Sequence, residues 1–148
     1  MAKKAKGKDR GILGFIASDH RGYELKEHLK SKFPLIDLGT DNDKTKVDYP
    51  DYASKLSNYV LKEKSRGILI CGTGIGMSIA ANRKKGIRAA LCHDTDDAKL
   101  AREHNDANVL ALKGSIKTKA AEKIVEKFFN TDFSEEERHK RRIKKLDK

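Results

Sequence analysis

Cys71 ends an apolar run and is followed by glycines at 72, 74 and 76, in "RGILICGTGIGMSIAAN" (66–82). Glycines at this density free the backbone for positive φ and let a ligand approach the main chain. The helix expected from Met77 onward offers unpaired N–H groups and the positive end of a dipole, which suits an anion. A thiol beside such a helix start is favoured as its thiolate. The segment reads as a reactive sulfur next to an anion cradle. It is not the GxGxxG of dinucleotide folds, and it lacks the Gly-Lys-Ser/Thr ending of a phosphate loop. A tight structural turn is the competing reading, with Cys71 as a small buried hydrophobe. Three alternate glycines around Thr73 exceed what a plain turn needs, which favours chemistry. Cys92, in "RAALCH", has no such neighbourhood and reads as packing.

Other polar groups admit two readings each. Asp19 and His20, in "SDHRG", either hold a hydroxylated ligand or cap the helix that follows. His104 and Asn105 close a helix, where an imidazole also serves the dipole. Arg138 and Arg142, four apart in "RHKRR", would stack two guanidiniums on one helical face and suit a phosphate. A disordered basic tail is the alternative. His28, among lysines, reads as solvated.

The elements that must position these groups alternate. Strands are expected at 12–17, 35–39, 67–71, 87–93 and 108–114. Between them, Leu25, Leu29 and Phe33 mark one helical stripe, with lysines on its opposite face, and Ala53, Leu56 and Val60 mark another. A helix over 95–105 takes Thr95 as its N-cap, and one over 117–129 stacks Ala121, Ile124, Val125 and Phe128. This order predicts a three-layer, Rossmann-like α/β/α sandwich on a five-stranded parallel sheet. Ligands of such sheets bind beyond the carboxyl ends of the strands, which gathers 18–22, 71–76 and 92–94 at one edge. Residues 133–148 are helix-compatible but too polar for a core helix, and extend the fold as a C-terminal arm.

The 148 residues fit one domain over 11–148, preceded by a basic arm at 1–10 expected to be disordered. The net charge of +11 sits at the ends: +4 over 1–10, +6 over 138–148 and +1 over everything between. Such a distribution is not a nucleic-acid-binding face. No apolar run approaches the ~18 residues of a membrane span, and no signal-peptide core follows the basic start. Two cysteines without metal-type spacing fit a reduced, cytoplasmic protein.

The segments "ASDHRGYELK", "VDYPDYA", "GILICGTGIGMSIAAN", "GIRAALCHD", "AREHNDANVLAL" and "RHKRR" resemble, in order, the motifs of the ribose-5-phosphate isomerase B family, which includes galactose-6-phosphate isomerase subunits. The resemblance runs from about residue 12 to 143. It implies an aldose–ketose isomerase of the pentose phosphate pathway, interconverting ribose 5-phosphate and ribulose 5-phosphate through a cis-enediolate without metal or organic cofactor. A hexose 6-phosphate isomerase, for allose or galactose 6-phosphate, is the alternative. By the resemblance, Cys71 is the base between C2 and C1, Thr73 helps move the proton between O1 and O2, and His104 opens the sugar ring. The amides of Gly72, Gly74, Ile75 and Gly76, with Asn105, would hold the enediolate. Asp19 would bind sugar hydroxyls, His20, Arg138 and Arg142 the phosphate, and Tyr49 would wall the pocket. The family's homodimers or tetramers share each site between subunits, His104 and Asn105 crossing the interface. Two departures stand out. Lys113-Gly114-Ser115 lacks an arginine common in the family, for which Lys113 or Lys117 would have to compensate, and Glu136-Glu137 replaces two glycines.

Overall fold

The computed structural model describes residues 11–148. The basic arm expected at 1–10 lies outside the described residues. Five strands form one sheet: β1 (Gly14–Ser18), β2 (Leu35–Asp37), β3 (Gly67–Cys71), β4 (Ala89–Leu91) and β5 (Val109–Lys113). All pairs are parallel, in the order β2-β1-β3-β5-β4. Six α-helices accompany them: α1 (Tyr23–Lys32), α2 (Tyr49–Glu63), α3 (Ile75–Asn82), α4 (Thr95–Asn105), α5 (Thr118–Asn130) and α6 (Glu137–Leu146).

Side chains alternate across a strand, so the central strands feed two cores. Ile68, Ile70, Leu110 and Leu112 pack with Leu25, Leu29, Ala98, Ala101, Ile124 and Phe128 of α1, α4 and α5. Leu69, Cys71 and Val109 pack on the other face with Ala53, Leu56, Val60, Met77 and Ala81 of α2 and α3. The expected three-layer sandwich is the observed one. The fourth strand is shorter than 87–93 because it pairs only with β5 and lies at the sheet edge.

Three local readings are corrected. Asp94, not Thr95, caps α4: its carboxylate accepts from the Asp97 amide at 2.8 Å, and the Asp97 carboxylate accepts from the His93 amide at 2.9 Å. The arrangement resembles a capping box, but the returning carboxylate takes the amide of His93, one residue before the cap. Lys26 does not face solvent. It is wholly buried, with Nζ 2.7 Å from Asp37 Oδ2 and 3.0 Å from Glu27 Oε2. His28 is not merely solvated, since its Nε2 lies 2.6 Å from Glu122 Oε2 of α5.

The polar tail folds as α6, and His139 is its one buried residue. Polar contacts help tie it to the body. The Ser134 amide donates to the Glu103 carbonyl at 3.1 Å, and Arg88 Nη1 meets Asp147 Oδ2 at 2.7 Å. Among the described residues, no helix is long and apolar enough to cross a membrane.

Candidate active site

Cys71 is the last residue of β3, and the chain turns there through Gly72 and Thr73 into α3. Gly74 takes φ +80°, a left-handed conformation that favours glycine, and its amide donates to Cys71 Sγ at 3.2 Å. The Thr73 hydroxyl accepts from the Ile75 amide at 3.1 Å, which fixes the first turn of α3. The Gly76 and Met77 amides that follow have no partner within the helix. The sulfur thus accepts a main-chain amide at the start of α3. Cys92 is different: burial, then the charges of Asp97 and Asp94, push its thiol up to about 12. It packs in the core, as its sequence context predicted.

Two further segments reach this edge. A one-turn 3₁₀ helix at His20–Gly22 follows β1, and Asp19 caps it, one carboxylate oxygen accepting from the Arg21 and Gly22 amides at 2.9 and 3.1 Å. Capping therefore occupies Oδ1 of Asp19 and leaves its other oxygen as the one open to a ligand. His20 Nδ1 accepts from the Val47 amide at 3.2 Å. A ring nitrogen that accepts carries no proton, so this imidazole presents its N–H at Nε2. Tyr49 opens α2 and lays its ring on the glycine turn: a Cβ at Gly76 would stand 2.6 Å from Tyr49 Cζ. Asp19, His20, Tyr49, Cys71, Thr73, Gly72, Gly74, Ile75 and Gly76 therefore share one edge.

The remaining candidates gather elsewhere. α4 runs back along the sheet, so His104 and Asn105 lie at the opposite edge, where the strands begin. The Asn105 carbonyl accepts from Arg88 Nε at 3.0 Å, one residue before β4. The two edges are separated by the length of β3, roughly 13 Å at ~3.3 Å per residue. Arg138 and Arg142 project from α6, which packs on α4, and both are exposed. Arg138 Nη2 lies 3.4 Å from Glu136 Oε1, so one of the two carboxylates that replace the glycines engages it. One chain thus carries two groups of candidate residues, and it does not bring them together. Among the described residues, no three His, Cys, Asp or Glu side chains converge as a metal site requires.

The sequence reading passed over His139. Its ring stacks on His104, with centroids 4.4 Å apart and planes 15° from parallel. The available signal was His139, Ile143 and Leu146 at i, i+4 and i+7, the one apolar-compatible stripe of the arm. The exposed side chains of Ile75 and Ile79, one turn apart on α3 beside the glycine turn, had no part in that reading, which used only the Ile75 amide.

Residues 15–146 match the family described as Ribose/Galactose Isomerase. A putative sugar phosphate isomerase of Bacillus subtilis is 47% identical over 138 residues, 88% of this chain and 92% of that protein. Ribose-5-phosphate isomerase B of Mycobacterium leprae is 40% identical over 140 residues, 90% of this chain and 86% of that protein. Among solved structures, a ribose 5-phosphate isomerase of Thermotoga maritima superposes with a TM-score of 0.86 at 48% identity, covering 94% of this chain and 99% of that one. Composition, fold, glycine turn and relatives agree: the chain belongs to the ribose/galactose isomerase family.

Proposed function

We propose that this protein interconverts ribose 5-phosphate and ribulose 5-phosphate, a step of the pentose phosphate pathway. The observation that carries the proposal is the Gly74 amide on the Cys71 sulfur, at a helix start whose Gly76 and Met77 amides have no partner within the helix. A base beside an oxyanion cradle is what proton transfer next to a carbonyl needs, and such electrostatic stabilisation is usually the largest catalytic term. The relatives named ribose-5-phosphate isomerase B supply the five-carbon substrate.

In the reaction, His104 gives a proton to the ring oxygen as the C1–O4 bond breaks, and the C1 hydroxyl releases its proton to water, leaving the open-chain aldehyde. The Cys71 thiolate takes the proton from C2. The C–H electron pair becomes the C1–C2 double bond, and the carbonyl pair moves onto O1. The amides of the Gly72–Gly76 turn, those of Gly74 and Ile75 turning from Cys71 and Thr73 to the ligand, and Asn105 hold the cis-enediolate, and Thr73 passes the proton from O2 to O1. Cys71 returns its proton to C1 while the electrons on O2 close the new carbonyl, giving the ketose. Asp19 binds sugar hydroxyls, Tyr49 walls the pocket, and His20, Arg138 and Arg142 hold the phosphate.

His104 cannot reach Cys71 in its own chain, because strand length separates them. The reading therefore takes His104, Asn105 and the arm arginines from a second copy, in a homodimer or a tetramer of such pairs. Ile75 and Ile79, exposed beside the glycine turn, support a covering subunit there. A base that must stay a free thiol fits a cytoplasmic protein. A coupled assay on ribose, allose and galactose 6- or 5-phosphates tests the proposal. Turnover confined to the pentose ester is expected, and absence of pentose turnover by native protein overturns it.

A further inference from the structure

Arg21 has no role in the account above, yet its side chain lies at the centre of the Cys71 edge. Its backbone is clamped. The Asp19 amide donates to the Ile70 carbonyl at 3.2 Å, and a Cβ at Gly22 would stand 2.6 Å from that same oxygen. A Cβ at Gly114 would stand 2.5 Å from the Arg21 carbonyl. The loop is thus wedged between the ends of β3 and β5, where only glycine leaves room.

The guanidinium rests on Gly72, the residue after Cys71. A Cβ built there would lie 2.8 Å from Arg21 Cζ and 2.9 Å from both Nε and Nη1. An approach within the guanidinium plane would bring the nitrogens nearer than the central carbon. The contact is therefore through the flat face, and the N–H edges stay free. Arg21 is exposed, and among the described residues no carboxylate pairs with it. An unpaired fork of donors suits a planar or tetrahedral oxyanion bidentately.

We infer that Arg21 is a substrate-binding residue that holds the sugar's phosphate from the same chain as Cys71, next to His20 Nε2–H. The inference rests on the reading of the Cys71 edge as the active site. Phosphate is favoured over the enediolate because the turn's own amides already serve the enediolate. From its own chain this edge otherwise offers the dianion one imidazole N–H, since Arg138 and Arg142 stand at the far edge and reach it only from the second copy.

The test is steady-state kinetics of Arg21→Ala and Arg21→Lys on ribose 5-phosphate, with inorganic phosphate as competitive inhibitor. Arg21→Ala should raise KM and the phosphate inhibition constant together, by about 10- to 100-fold as for a lost hydrogen-bonded charge, with a much smaller change in kcat. Arg21→Lys should fall between, since a point charge lacks the fork. Ser115→Arg in the Arg21→Ala background should restore part of the affinity, because residue 115 follows the glycine that faces the Arg21 backbone. Unchanged KM and phosphate inhibition would make Arg21 a solvated side chain and overturn the inference. A fall in kcat alone would place it on the enediolate and overturn it as well. Neither result touches the base assignment, which would fail instead through an active Cys71→Ala.

Discussion

The imidazole of His104 lies against that of His139, with centroids 4.4 Å apart and planes within 15°. One ring belongs to the body and the other to the C-terminal arm, so the stack positions the proposed ring-opening acid. His139 is buried, and its Nε2 has no partner. Desolvation first, then the charges of His104, Arg138 and Arg142, hold it below the usual histidine range, with Glu136 opposing. Folding therefore favours the neutral ring. As pH falls below about 6.5 the unfolded chain binds the proton first, and the stability from this group is lost toward acid. His139→Phe keeps a flat ring and removes the titration. Its melting temperature should fall less between pH 7 and pH 5.5 than that of the native protein, read by calorimetry. Parallel curves would mean that the stack carries no proton linkage.

Replacing Cys71 by alanine should cost ~10²–10⁴ in kcat, the range of a lost general base, with KM for ribose 5-phosphate nearly unchanged. Cys92→Ala should leave kcat close to native, because that thiol is buried and pushed up to about 12. Native protein treated with iodoacetamide at pH 8 should show no label on Cys92 by mass spectrometry.

Ring opening and isomerisation can be separated at His104. Ribulose 5-phosphate has no furanose to open, because its fifth oxygen carries the phosphate. His104→Ala should lose most turnover from ribose 5-phosphate and still exchange the C1 proton of ribulose 5-phosphate in heavy water. Cys71→Ala should lose both. Proton NMR reads the exchange, after native mass confirms that the variant's assembly is intact. Equal loss of exchange in both variants would move His104 into the isomerisation step.

With Arg138 holding the phosphate as proposed, Glu136, 3.4 Å away across an exposed pair, would compete with substrate for it. Such surface pairs are worth ~0.2–1 kcal/mol, so Glu136→Gln should lower KM for the phosphorylated sugar by up to about fivefold. Arg142→Ala should raise it. A KM that ignores both changes would return the arm to a solvated role.

The sheet and its helices were legible because each central strand is a short apolar run and each long helix carries one stripe. Asp19, His20 and Cys71 were legible because a parallel sheet sends its strand ends to one edge. What escaped depends on partners far along the chain. Lys26 is buried only because Asp37 waits on β2, and His28 meets Glu122 across 94 positions. Periodicity sees neither. Arg21 was quoted within "SDHRG" and passed over, since nothing local says that a guanidinium will lie on a glycine 51 positions later. The Glu136 and Glu137 departure was read from sequence, whereas the specific pairing with Arg138 required the arm's helix to be in place.

The opposite placement of Cys71 and His104 has a genetic consequence. In the proposed two-fold dimer, each protomer would lend its sulfur to one site and its imidazole to the other. A Cys71→Ala chain and a His104→Ala chain are each inactive on ribose 5-phosphate as homodimers. A heterodimer of the two holds one site with both lesions and one site with none. Two defective alleles co-expressed in one cell would then complement each other, and the mixed population would approach half-site activity in every heterodimer. A site contained within a single chain could never be rescued this way.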